Sequence, residues 1–461
     1  MDVTKNMNKY VVRYLFEPFF WYIKKYSVLN RYQELQKLQF TTEELYRNRQ
    51  NILLSSLLKF AILNLPFYKD HLQTIPLRKI DDSPVSALRL FPILNKDDIR
   101  KRISELYLEG GRGTIINRSG GSTGQPVSIY QDKTYQAESL ASTYLMYEWA
   151  GKQVGDSHAL LWGAERDLVK GWLGCRQLLA DFLGNRITLN AFRLYPEKMK
   201  EYAMRLNRFQ PVCIEGYAES LYEFCCFIDR NKIEVTSPKT IISSAGTLYP
   251  EMRAHIEKTF RSSVFDRYGS REAGNMAAEC EQHDGLHVFG ETTYIEVVDN
   301  FGNDVPEGDE GEILVTNLTN YTMPLIRYRI GDRAVQGSKN CKCGRPYPKL
   351  ARIAGRSGTS FYNSRGGVVS PEFFIHLIGV MHNDGSIAKF QIVQEAIDHI
   401  VIHLVPFDCT MPYEVKNKET IEKQVMMAMG EKCRVEIRVE ESIEPTPTGK
   451  HLYTINKLAK N

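Results

Sequence analysis

The sequence predicts an α/β protein in two parts: a large N-terminal domain of mainly parallel sheet with a β-rich subdomain, and a small mobile α+β C-terminal domain. Three observations lead there. From Lys133 to Arg267 helical and strand patterns alternate, as they do when parallel strands are joined by crossover helices. From Leu286 to Gln336 strand follows strand, with Gly, Asn, Asp and Pro at the turns. After Gly355 the pattern becomes helix, strand, strand, helix, strand. A chain of 461 residues exceeds what one core usually holds, and the expected division is 1–354 and 355–461.

Composition excludes several classes. Apolar content of 43% and charged content of 25% suit a globular protein, and a net charge of +4 is too small over this length to argue for nucleic acid. No apolar run approaches the ~20 residues that span a bilayer. Nine cysteines without a regular framework, and no secretory leader, point to a reducing cytoplasm. There is no internal repeat, and oligomeric state is not readable.

In chain order, Tyr10–Tyr26 is dense in aromatics with basic residues interleaved, and Pro18 interrupts it. It suits either a helix lying in a membrane interface, making a peripheral contact, or a helix packed on the main domain. Thr41–Leu63 reads as one amphipathic helix, and Pro66 opens a polar connection. Thr114–Asn117 and Val127–Gln131 are β-branched and aromatic and read as strands. Helices are expected at Lys133–Trp149, Pro196–Phe209, Ala218–Asn231 and Pro250–Phe260. Buried strands fall at His158–Trp162, Val212–Glu215, Thr240–Ser244 and Val264–Arg267. The β-rich part offers Tyr294–Asp299, Glu312–Leu318 and Leu325–Arg329. The C-terminal part offers a helix at Pro371–Met381, strands at Phe390–Gln394 and Ile400–Val405, a helix at Lys418–Met429 and a strand at Arg434–Val439. Gly355–Gly358 is a candidate hinge, since glycine absorbs large backbone changes.

Between the two strands at Thr114 and Val127 lies RSGGSTGQP, in which Ser119, Gly120, Gly121, Ser122, Thr123 and Gly124 form an unbroken Ser/Gly/Thr run. Successive glycines let backbone N–H groups converge, and three hydroxyls add donors, which together suit a phosphate. It joins strand to strand and lacks the Gly-Lys-Ser/Thr ending of a Walker loop. Further short motifs follow at strand ends: Ser243–Thr247, Tyr268–Glu272, Tyr328–Asp332, Gly355–Arg356 and Thr448–Lys450. A separate constellation, Cys280-x-x-His283, His287 and Cys341-x-Cys343-Gly344, has the composition of a closed zinc site of three cysteines and one histidine.

The ordered motifs resemble those of the adenylate-forming superfamily, and within it the phenylacetate–CoA ligase family, nearest the branch found in capsular polysaccharide biosynthesis. The resemblance runs from about Tyr68 to Lys450. It implies an enzyme that joins a small carboxylic acid to AMP and releases pyrophosphate, then passes the acyl group to a nucleophile, most simply the CoA thiol. By motif match, Ser119–Gly124 cradles the ATP phosphates, Ser244, Ala245 and Gly246 line the adenine pocket, and Tyr268, followed by Gly269 and Ser270, stacks on adenine. Glu272 holds magnesium, Asp332 and Arg356 reach the ribose, and Lys450 bridges the carboxylate and α-phosphate. The acyl pocket falls to Trp162–Ala164, Gly216–Tyr217 and Ser243–Ala245. His287 sits in a Gly-Leu-His that recurs in the family, so His283 and His287 both remain candidate zinc ligands.

Three residues depart from the family pattern. Gln125 stands where many relatives have Lys, Arg271 replaces the Ser or Thr before the metal-binding Glu, and Gly358 takes the usual charged hinge position. A guanidinium at Arg271 still offers a planar fork to a phosphate or carboxylate. Two rival readings remain: transfer of the acyl group to a sugar amine or hydroxyl without CoA, and a non-catalytic nucleotide-binding or scaffold protein.

Overall fold

The structure is a computed structural model that describes residues 7–458 except 25, 73–76, 109–113, 119–126, 163–171, 192–193, 195, 247, 249, 300, 356–360, 366–367, 370–372, 375–376, 379–386, 407–414, 416 and 444–453. An 11-stranded sheet carries both the alternating and the β-rich parts of the sequence. From one edge it runs Arg186–Asn190, His158–Trp162, Cys213–Tyr217, Thr240–Ser244 and Val264–Ser270, all parallel. It continues antiparallel through Gly274–Glu279, Leu286–Val288, Lys349–Gly355, Tyr328–Gln336, Glu310–Asn317 and Thr293–Val298. Val264–Ser270 is therefore the seam, parallel to its neighbour on one side and antiparallel on the other. Leu206, Phe224, Ile241 and Phe260 lie in the core of the parallel half; Leu58, Phe91, Ile313 and Tyr328 lie in that of the antiparallel half.

A separate C-terminal domain holds a four-stranded sheet in the order Arg434–Val439, His399–Pro406, Ile387–Ala396 and Thr454–Asn456, with the helix Lys418–Met429. Phe361, Phe374, Phe390, Ile402 and Val425 form its own core. The helix expected at Pro371–Met381 lies mostly outside the described residues.

Several expectations need correction. The polar connection after Pro66 is helical: Pro66–Leu72, Leu77–Asp82, Pro84–Leu88 and Lys96–Leu106. Proline opens two of these helices, where its missing N–H costs nothing, and a capping box between Asn95 and Asp98 opens the last. Pro18 does not break the N-terminal helix, which runs on from Lys9 to Lys24. A π-helical stretch at Val12–Phe16 widens the turn just ahead of the proline. The strand expected at Leu325–Arg329 begins only at Tyr328, because Arg327 takes a left-handed φ of 49°. From there its buried guanidinium reaches Glu296 at 3.1 Å and the carbonyls of Arg89, Phe91 and Gly302.

Candidate functional site

Two of the sequence motifs follow adjacent parallel strands, so pairing alone brings them together. Ser244 ends one strand, and Tyr268–Ser270 ends the next. After Ser244, Ala245 takes a left-handed φ of 64° and the Gly246 N–H turns back on the Ser244 carbonyl at 2.8 Å. Backbone strain in a non-glycine residue is maintained only where its surroundings over-determine it, which is common at ligand sites. The Ser244 hydroxyl accepts from Arg267 Nε at 3.0 Å.

Asp332 comes from a strand that three others separate from the seam, yet the Tyr268 hydroxyl donates to its Oδ2 at 2.7 Å. Both side chains are buried. The bond locks the edge of the Tyr268 ring and occupies one carboxylate oxygen of Asp332. Gly355, the last described residue before Arg356, pairs with Arg333 next to Asp332. Arg356 itself, Ser119–Gly124 and Lys450 lie outside the described residues.

Arg271 and Glu272 sit in the turn between Val264–Ser270 and Gly274–Glu279. The turn is tight: Gly274 has φ +66°, and a Cβ there would lie 2.3 Å from Ser139 Oγ. Arg271 is exposed and Glu272 buried, the Glu272 carboxylate lying 3.8 Å from Lys96 Nζ. The backbone of the turn is held from outside. Gln131 Nε2 donates to both the Arg271 and Glu272 carbonyls at 3.1 Å, and Asn317 Nδ2 to the latter at 3.3 Å. Gln131 ends the strand that leaves the glycine-rich loop and accepts from Gln136 at 2.6 Å. Lys96, Gln131 and Asn317 were not singled out from the sequence. All three act through contacts distant in the chain, and only the carboxamides of Gln131 and Asn317, polar residues in strand patterns, hinted at a partner.

Glu215, the chain neighbour of Gly216, centres a buried ion network. Glu215 Oε2 accepts from the Tyr147 hydroxyl at 2.8 Å and faces His158 Nε2 at 3.3 Å, while its Oε1 meets Arg267 at 3.2 Å. Burial works to raise the Glu215 pKa, but Arg267, His158 and Tyr147 outweigh it and hold the carboxyl down at about 2. Burial pushes His158 down to about 4, so it stays neutral. The Trp162 and Tyr217 rings, both expected at the acyl pocket, pack 4.5 Å apart.

The Cys/His constellation is also assembled. Ligand atoms of Cys280, His287, Cys341 and Cys343 all lie within 4.8 Å of one another. Cys280 Sγ is 3.7 Å from Cys341 Sγ, and Cys343 Sγ is 3.4 Å from His287 Nε2. A tetrahedron with metal–sulfur bonds of about 2.3 Å has S–S edges near 3.7 Å, so the donor set fits zinc. The Gln282 and Arg345 N–H groups donate to Cys280 and Cys343 sulfur at 3.5 Å, and His287 Nδ1 lies 3.3 Å from the Tyr347 carbonyl, turning Nε2 inward. His283, the other candidate, is elsewhere: its Nδ1 meets Glu279 at 3.0 Å and its ring packs on Phe265.

Comparison with known proteins adds the following. Residues 361–457 match the family model of the CapK C-terminal domain. The chain is 25% identical over 446 residues to Protein CapK of Staphylococcus aureus, covering 95% of this chain and 94% of that one. It is 24% identical over 409 residues to the phenylacetate–CoA ligase of Thermus thermophilus, covering 84% and 88%. Among solved structures, 2-hydroxyisobutyryl-CoA ligase with 2-HIB-AMP and CoA in its thioesterification state aligns with a TM-score of 0.61 at 18% identity over 92% of both chains. Its open conformation with 2-HIB-AMP and CoA aligns at 0.56 and 20% identity, over 88% and 90%. The fold is that of the adenylate-forming CoA ligases, and the resemblance drawn from the motifs is borne out.

Proposed function

We propose that this relative of CapK and of the phenylacetate–CoA ligases is an ATP-dependent, AMP-forming ligase that converts a small carboxylic acid to its CoA thioester. A carboxylate oxygen attacks the α-phosphorus of ATP, and the bond to pyrophosphate breaks. The CoA sulfur then attacks the acyl carbonyl, AMP leaves as a phosphate anion, and the thiol proton passes to solvent. The observation that carries the reading is the meeting of Tyr268 and Asp332 at 2.7 Å, beside the turn after Ser244 and the Arg271–Glu272 turn.

In this reading Tyr268 offers its face to adenine while Asp332 fixes its hydroxyl, and Asp332, with Arg356, takes the ribose. Ser244, Ala245 and Gly246 wall the base, and Ser119–Gly124 takes the phosphates. Glu272 would hold magnesium, which neutralises charge on the phosphates. Arg271 reaches the α-phosphate or the acyl carboxylate from its exposed position. Lys450 serves adenylation when the C-terminal domain turns about Gly355–Gly358. Cys280, His287, Cys341 and Cys343 would hold a structural zinc, with every ligand position filled by protein. ATP and CoA as co-substrates put the enzyme in the cytoplasm.

The second reading, transfer to a sugar during surface-polysaccharide assembly, is favoured by one observation. The CapK match covers 95% of the chain, whereas those to the phenylacetate–CoA ligases of Thermus thermophilus and Pseudomonas putida cover 84% and 65%. Pyrophosphate release is measured with ATP and a panel of aromatic, hydroxy and amino acids, and products are weighed by mass spectrometry with CoA or amino sugars added. A thioester supports the first reading, and an acylated sugar without thioester supports the second. No pyrophosphate from any acid overturns both and leaves a non-catalytic nucleotide-binding protein.

A further inference from the structure

The N-terminal helix, Lys9–Lys24, is attached to the body along one thin edge. Its buried residues are Val12 and Trp21. Trp21 Nε1 and the Tyr144 hydroxyl both donate to Glu17 Oε2 at 2.8 Å, and Met7 N–H donates to Asn185 Oδ1 at 2.8 Å. The helix is thus fixed in place, not frayed. Yet Tyr10, Val11, Tyr14, Leu15, Phe19, Phe20, Tyr22 and Ile23 are all exposed, Tyr14 at 68%, Phe19 at 60% and Tyr22 at 81%. Around Trp21 the exposed side chains run from Tyr22 through Ile23 and Phe19 to Phe20, an arc of about 160° at 100° per residue. Burying so wide an arc in a protein groove requires a partner shaped to nearly half of the helix circumference. A lipid interface does so without shape matching.

Charge points the same way. Between Val3 and Ser27 the sequence holds Lys5, Lys9, Arg13, Lys24 and Lys25 against one acid, Glu17. Glu17 is turned inward to Trp21 and Tyr144, so the outer side carries no acid of this helix, while Arg13, at its edge, donates to Gln153 at 3.3 Å. Lys9, Arg13 and Lys24 lie over the rings of Tyr10, Tyr14 and Phe20 at 5.3, 5.5 and 4.5 Å. Lys9 also approaches Asp156 at 3.9 Å. Aromatic rings with cations beside them match the boundary between acyl chains and anionic headgroups. Among the described residues no helix is long and apolar enough to cross a membrane, so the contact is with one face.

We propose that Lys9–Lys24 docks this protein on an anionic lipid surface, its outer aromatic side lying in the headgroup layer. The proposal stands apart from the ligase reading. The full chain is sedimented with vesicles of phosphatidylcholine alone and with about one third phosphatidylglycerol. It should pellet with the anionic vesicles and be released as salt rises, since exposed charges are screened. The triple variant Tyr14→Ser, Phe19→Ser, Tyr22→Ser should bind about tenfold or more weakly, with an unchanged melting curve because none of the three is buried. Protein that stays in the supernatant with both vesicles overturns the proposal, as does a triple variant that binds like the parent. A two-copy mass by light scattering that this variant halves, without vesicle binding, assigns the face to self-association instead.

Discussion

The two halves of the large sheet stiffen the same seam by different chemistry. On the parallel side Glu215 holds Arg267 within a buried ion network with Tyr147 and His158. On the antiparallel side the next residue, Tyr268, is held by Asp332, and that half also contains the Cys280–His287–Cys341–Cys343 cluster. Adjacent strand residues leave opposite faces of a sheet, so the two anchors do not compete. The parallel half depends on burial and fixed charge. The antiparallel half carries instead a cluster of three thiols and one imidazole whose composition fits a metal ion.

The contrast is tested most severely at the cysteines. Replacing Cys341 and Cys343 by Ser should remove about one zinc per chain and sharply lower the thermal midpoint, because metal-binding energy in such sites is folding energy. Elemental analysis and calorimetry measure it. A metal-free parent with the same midpoint would mean that this half stands on packing alone.

Next in size is Lys450→Ala. It should slow adenylate formation by ~10²–10³-fold, the scale for one preorganised donor at developing charge, and leave thioester formation from supplied acyl-adenylate far less affected. Equal slowing of both half-reactions would sink the rotating-domain mechanism and leave the seam as the only working part.

The parallel half should show itself in acid. His158 titrates near 6.5 when unfolded and about 4 when folded. Between those values the unfolded chain binds the extra proton, so stability falls as pH drops from about 6.5 to about 4. Glu215, at 4.5 unfolded and about 2 folded, keeps its full contribution through most of that window and adds to the loss only below about 4.5. The variant His158→Gln should flatten the melting-point profile there, and a profile identical to the parent's would remove His158 from the account.

Smaller again is Gln131→Leu, which strips two donors from the Arg271–Glu272 turn. Losing these two bonds, with Asn317 still donating to the Glu272 carbonyl, costs ~1–3 kcal/mol and should raise the magnesium concentration needed for turnover. An unchanged magnesium curve would separate the turn from Gln131. Smallest is Tyr268→Phe, which loses one hydrogen bond worth about 1 kcal/mol. A several-fold rise in KM for ATP with kcat held is expected, and a collapse of kcat would mean the hydroxyl does more than orient the ring.

Legibility followed the same division. In the parallel half, Lys133–Trp149, His158–Trp162, Pro196–Phe209, Thr240–Ser244 and Pro250–Phe260 stand where the pattern put them. Crossover helices are long and their strands continuously apolar, so periodicity is strong. The helix Trp172–Leu183 and edge strand Arg186–Asn190 went unread between glycines. In the antiparallel half, Gly274–Glu279 and Lys349–Gly355 were missed and Tyr328–Gln336 was displaced. No crossover helix marks where one of these strands ends and the next begins, and Arg327 obeys a distant Glu296 rather than its neighbours.

The sequence alone singled out the candidate local chemistry. Backbone need and side-chain type mark the glycine-rich loop, the Ser-Ala-Gly after a buried strand, the acid in a tight turn and the cysteines beside a glycine. Which of these meet was decided by tertiary structure. Only strand order brings Asp332 across to Tyr268, turns His287 inward and His283 away, and sets Lys96 beside Glu272. The reason is physical: motif residues are selected by their own few neighbours, whereas pairing over hundreds of residues depends on how the whole sheet buries its two faces.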